Sequence, residues 1–110
     1  MRKQLAVLLF VISCIPVSLS AETLAELDAR LEKELASRDV NAVIDWKNAN
    51  AQRDAGRHEE AVRLYADVFR RVPSFDHALR RQAGEELAGG HRDAAVQHAG
   101  QAVELSRSSL

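Results

Sequence analysis

The chain has 110 residues, 15 of them basic and 16 acidic, for a formal net charge of −1, so no general attraction to nucleic acid follows from its charge. A single cysteine excludes a disulfide framework, and the length allows one domain with a modest core.

The first twenty residues read as a secretory signal peptide: MRKQ is a short cationic start, and LAVLLFVISCI is an uncharged apolar run of a length typical for such leaders. Ser18 and Ser20 place small residues where a signal peptidase cuts, so cleavage is expected after Ser20 or Ala21. The apolar run falls short of the roughly 20 residues that span a bilayer. A competing reading uses Val11-Ile12-Ser13-Cys14, a loose lipobox in which Cys14 would carry a lipid and anchor the protein to the envelope; only then is a membrane contact expected. Losing Arg2 and Lys3 takes the basic count from 15 to 13 against 16 acidic residues, a formal −3. A mature chain without cysteine suits the bacterial periplasm better than a disulfide-dependent extracellular domain, so a periplasmic or secreted protein is expected.

No later run alternates apolar and polar residues over strand length, and five helices are expected, giving an all-α domain. Thr23 is placed to cap the first, whose Leu24, Leu27, Leu31 and Leu35 form one apolar stripe. Glu26, Asp28, Glu32, Lys33 and Glu34 fall off that stripe and are expected in solvent. Asp39 can cap the second helix, which carries Val40, Val43, Ile44 and Trp46 and ends at Gly56. The third covers about His58 to Arg71, with Ala61, Val62, Leu64, Tyr65, Val68 and Phe69 inward, and Pro73 stops it. Ser74 is placed to cap the fourth, which holds Phe75, Leu79, Ala83 and Leu87. Gly89-Gly90 closes it, and the fifth runs from about Arg92 to Ser106 with Ala95, Val96, Ala99, Ala102 and Val103 inward. Such short loops set neighbouring helices antiparallel.

GRHEEAVRLY at 56–65 and GHRDAAVQHA at 90–99 set Gly56 against Gly90, Ala61 against Ala95 and Val62 against Val96, each pair 34 residues apart. This period, with a glycine turn inside each hairpin and Pro73 between hairpins, resembles the tetratricopeptide repeat family. Gly56, Ala61, Tyr65 and Pro73 match the family's pattern in one repeat; Gly90, Ala95 and Ala102 match it in the next. Leu79 supplies the large apolar residue expected early in a hairpin, but Asp45 stands there in the other, with Trp46 one residue late. Gln52 and Glu86 replace the usual tyrosine, and Arg107 the second proline. Subtracting 34 from Ala61 and Tyr65 lands on Leu27 and Leu31, so the leucine helix is in phase as an eroded half repeat. The resemblance implies a short α-solenoid: signal peptide 1–20, N-terminal capping helix 21–39, and repeats 40–73 and 74–107.

Relatives in that family bind peptides on a concave side lined by the first helix of each hairpin. The resemblance therefore implies a binding face of Trp46, Lys47, Asn50, Arg53, His77, Arg80 and Arg81, with Gly84 beside it. Arginine forks and an asparagine amide suit carboxylates and peptide backbone. A bland alternative makes Arg80 and Arg81 a solvated face and packs Trp46 on the leucine helix. Some relatives clamp a C-terminal carboxylate, and Asn50 would suit that role, but Trp46 stands where the clamp needs lysine. Gly84 inside a helix hints at a close backbone approach.

His58, His77, His91 and His98 read as surface histidines rather than metal ligands. Glu59/Glu60 and Glu85/Glu86 read as solvated pairs whose side chains diverge. Neither a catalytic site nor a cofactor is expected, because two hairpins offer no deep cleft. The last helix leaves Ala99, Ala102 and Val103 without a lid, so a homodimer through it is one option. The leading expectation is a non-enzymatic module binding a protein or peptide partner. The alternatives are a self-associating or lipid-anchored assembly subunit and an accessory fragment of a larger envelope enzyme.

Overall fold

The computed structural model describes residues 21–108. The proposed signal peptide and Cys14 lie outside these residues. Five helices follow one another, and no strand occurs among the described residues: α1 (Leu24–Arg38), α2 (Ala42–Asp54), α3 (His58–Arg71), α4 (Asp76–Ala88) and α5 (Arg92–Ser108).

Local chemistry sets most boundaries where the sequence placed them. Thr23 caps α1 in a reciprocal box: its Oγ1 accepts the Glu26 amide at 3.1 Å, and its own amide reaches Glu26 Oε1 at 3.4 Å, satisfying two otherwise orphaned donors. Asp39 Oδ1 accepts the Asn41 amide at 2.9 Å, so it organises the turn into α2. Gly56 and Gly90 both adopt left-handed backbone, with φ of 75° and 88°. The bonds around them match. Arg57 and His91 amides return to Gln52 and Glu86 carbonyls at 2.9 and 2.7 Å, and Gly56 and Gly90 amides to Arg53 and Leu87 at 3.0 and 3.1 Å. This paired closure of a helix end favours glycine, which has no Cβ to clash at positive φ.

Helices α2 through α5 pack closely, each on the next. One core cluster joins Leu31 and Leu35 of α1, Ala42, Trp46 and Ala49 of α2, and Ala61, Tyr65 and Val68 of α3 to Val72, Phe75 and Ala78. The buried alanines recur with the turns: Ala49 and Ala61 in the first hairpin, Ala83 and Ala95 in the second. At these places the absence of a long side chain lets helix axes approach.

Several expectations need correction. Val40 and Ile44 are exposed, because Ile44 lies two residues, about 200°, around α2 from the core-facing Trp46. Ser74 caps nothing; Phe75 precedes α4 without a side-chain cap, and Ser74 Oγ instead accepts from Arg38 Nη1 at 3.0 Å. Helix α5 packs mainly on α4, and of its residues only Ala95 and Ala102 are buried, while Val96, Ala99 and Val103 face outward, as does Leu87 on α4. Gly84 marks no close approach, since a Cβ built there meets nothing within 4 Å.

Candidate functional site

The expected binding face is held together by α1. Asp28 lies 2.6 Å from Arg81 of α4 and 3.4 Å from Arg53 of α2, and Glu32 lies 3.3 Å from Lys47 of α2. At the other end of α1, Arg38 bonds Ser74 and stands 5.9 Å from the Phe75 ring centre, just before α4. Early α1 thus meets late α2 and mid α4, and late α1 meets the start of α4. Helix α1 runs antiparallel to both. A helix that merely closed the end of the stack would touch α2 alone.

Trp46 sits beneath this arrangement with no exposed surface. Its ring meets Tyr65 and Phe75 edge to face, with centroids 5.5 and 5.2 Å apart, the arrangement that aromatic quadrupoles favour. The Arg81 guanidinium covers it at 4.6 Å. Trp46 Nε1 is buried with no acceptor among the described residues, a cost of about 1–3 kcal/mol that the ring contacts offset. Trp46 is therefore a core residue and not a surface offered to a partner.

Asn50 is the hub beside it. Its Oδ1 accepts from Tyr65 OH at 2.5 Å, Arg81 Nη1 at 2.9 Å and Arg53 Nη1 at 3.4 Å. Burial pushes the Tyr65 phenol pKa up, against the opposing pull of Arg53 and Arg81. Of the remaining residues, Lys47 and Arg80 are exposed, Arg80 pairing with Asp76 at 2.9 Å. His77 is half-buried, its ring 5.4 Å from Phe75. Of the face expected from the sequence, Trp46, Asn50, Arg53 and Arg81 are brought together, and all four are spent on internal contacts.

Asp28 and Glu32 are the residues the sequence reading missed, since both were expected in solvent. Their signal was position: Asp28 precedes Leu31 by three residues and Glu32 follows it directly, so both flank the buried stripe.

Glu85 and Glu86 also depart from expectation, being 7% and 6% exposed. Helix α4 is sandwiched between α3 and α5, so the diverging side chains are both covered. Glu85 approaches His58 Nδ1 of α3 at 3.4 Å, and Glu86 approaches His98 Nδ1 of α5 at 2.7 Å. His58 and His98 are therefore packing partners rather than plain surface residues. A cavity of about 280 Å³ adjoins His58, lined also by Val62, Glu85, Glu86, His91 and Ala94 among others. Among the described residues no cluster of three or more His, Cys, Asp or Glu could hold a metal ion. None of the described helices is long and apolar enough to cross a membrane.

Comparison with protein-family models, curated proteins and solved structures found no match.

Proposed function

We propose that this chain is a non-enzymatic protein–protein interaction module of the bacterial periplasm or cell envelope, built from two tetratricopeptide-like hairpins that take a partner on the face of α2 and α4. One observation carries the reading: the same glycine-closed turn, with the same pair of backbone bonds, recurs 34 residues apart at Gly56 and Gly90. Alanines recur with it at helix contacts. Repetition of one supersecondary unit is how extended binding surfaces are made. The cationic N-terminus and apolar run at 1–20 support export.

The cationic groups of that face, Lys47, Arg53, Arg80 and Arg81, favour an acidic partner. Arg81 is needed inside, so the exposed Lys47 and Arg80 provide the test. With the mature wild-type domain as bait in envelope extract, Lys47→Glu with Arg80→Glu reduces capture of specific partners while helicity stays at the wild-type level. Equal capture by both baits refutes the assignment of this face.

A second reading is favoured by the far end of the molecule, where Leu87, Val96 and Ala99 are exposed along a groove that Arg80, Ala83, Gly84, Arg92 and Ala95 also line. There the chain would act as an assembly subunit docking through α5, with or without a lipid on Cys14. Sedimentation at micromolar concentration tests it: a monomer throughout removes self-association, and Val96→Glu dispersing a dimer supports it.

A further inference from the structure

We infer that the chain forms a two-fold symmetric dimer in which α5 of each copy lies antiparallel on α5 of the other and fills the groove left open between the other's α4 and α5. The dimer presupposes the reading of α5 as the docking helix, and gives that dock its occupant and its register.

The first hairpin shows what such a groove holds. Shifted back by 34 residues, Ala83, Gly84, Ala95, Val96 and Ala99 of the groove fall on Ala49, Asn50, Ala61, Val62 and Tyr65. That is the side on which α4 packs. Asn50 bonds Arg81 of α4, Val62 lines a cavity with Glu85 and Glu86 of α4, and Ala49, Ala61 and Tyr65 are fully buried. A helix closes the groove of the first hairpin, and a helix is what the second one lacks. Where the first has Asn50 and Tyr65, the second has Gly84 and Ala99, so about 620 Å³ stands open above small side chains. The end of a repeat stack that faces solvent is normally polar. This end is not: Leu87, Val96 and Val103 are three of the six large apolar residues exposed among the described residues.

The same face supplies the missing helix. Val96, Ala99 and Val103 follow one another at three and four residues, so they form one exposed stripe along α5. The helix that fills the first groove has the same spacing in its buried Phe75, Ala78 and Gln82. A face that carries both groove and stripe is self-complementary, which a two-fold interface requires. In an antiparallel pairing centred on Ala99 and Gly100, Val96 of one copy meets Val103 of the second copy. Small residues then lie where the two helix axes come closest, as Ala61 and Ala95 do inside the hairpins. Charge is compatible: Arg80, Arg92 and Arg107 are balanced by Asp76, Asp93 and Glu104, so two identical faces meet without net repulsion.

Sedimentation of the chain as recovered from expressing cells, across the micromolar range, reads the association. The wild type is expected as a dimer. Val96→Glu and Val103→Lys, both at exposed positions of the single chain, should leave helicity unchanged and each weaken the dimer at least about tenfold, because each sets two charges against valines. An equal mixture of the two variants should associate at least about tenfold more tightly than either alone. In the mixed dimer one Glu–Lys pair and one valine pair face each other across the two-fold axis.

A wild-type monomer throughout overturns the proposal together with the reading of α5 as a self-docking helix, and so does a dimer indifferent to both substitutions. A dimer that both substitutions weaken and the mixture fails to restore overturns the antiparallel pairing alone. Species that grow past the dimer with concentration also overturn it, since an open-ended contact is not two-fold.

Discussion

Replacing Arg81 by alanine probes the part of the structure on which the candidate site depends. The side chain is 14% exposed and makes three contacts: Asp28 at 2.6 Å, Asn50 at 2.9 Å and the Trp46 ring at 4.6 Å. A largely desolvated guanidinium on tryptophan contributes about 1–2 kcal/mol. The charged contacts add about 1–2 kcal/mol, discounted for the solvent that still reaches Asp28. Arg53 remains beside Asp28 in the variant and limits the loss, so Arg81→Ala should destabilise by about 2–3 kcal/mol. For a domain of this size that lowers Tm by on the order of 10–20 °C. Arg81→Lys keeps the charge but loses the planar fork and the stacked face, and should recover roughly half of the stability. Urea unfolding followed by both Trp46 fluorescence and helical circular dichroism gives the values. A change below about 0.5 kcal/mol, the usual result for a solvated surface position, would refute the reasoning that Arg81 joins α1, α2 and α4.

Gly56→Ala and Gly90→Ala should each cost about 1 kcal/mol or more, since both residues have positive φ, whereas Gly84→Ala, in an open helical position, should stabilise by about 1 kcal/mol; thermal unfolding of the three variants compares them directly. Ala61→Leu should cost about 1–3 kcal/mol by overpacking a fully buried contact, and a neutral effect in urea unfolding would place Ala61 outside the helix interface. Burial raises the Tyr65 pKa above that of the unfolded chain. The stability this implies is present below the ordinary tyrosine range near pH 10 and is lost as pH rises through the folded value. Tyr65 is the single tyrosine, so its ultraviolet titration should have a midpoint above that of free tyrosine and coincide with loss of helicity. A midpoint at or below the free value contradicts its burial.

The helices were legible because their determinants are local. Thr23 with Glu26, and the glycines at 56 and 90, set their ends through bonds within a few residues. The 34-residue recurrence likewise anticipated Ala61 and Ala95 as buried contacts. What escaped was set by neighbours distant in the chain. Glu85 and Glu86 look solvated until α3 and α5 close on both sides of α4. Ser74 looks like a cap until Arg38, 36 residues away, claims its hydroxyl. Trp46 reads either as a surface anchor or as packed on the leucine helix until Tyr65, Phe75 and Arg81 enclose it. Whether each residue of the expected face lies at the surface or in the interior depended on where α1 lies. No local pattern says that a helix in phase with the repeat will reach past its neighbour to α4.

The most direct measurement is a nuclear Overhauser spectrum read from the Trp46 indole. With α1 across α2 and α4 and the two hairpins packed through this residue, its ring protons should show cross-peaks to the Tyr65 and Phe75 rings and to the Arg81 side chain. An indole lacking all three contacts, and readily quenched by acrylamide, would mean that Trp46 faces solvent and that the hairpins do not meet there.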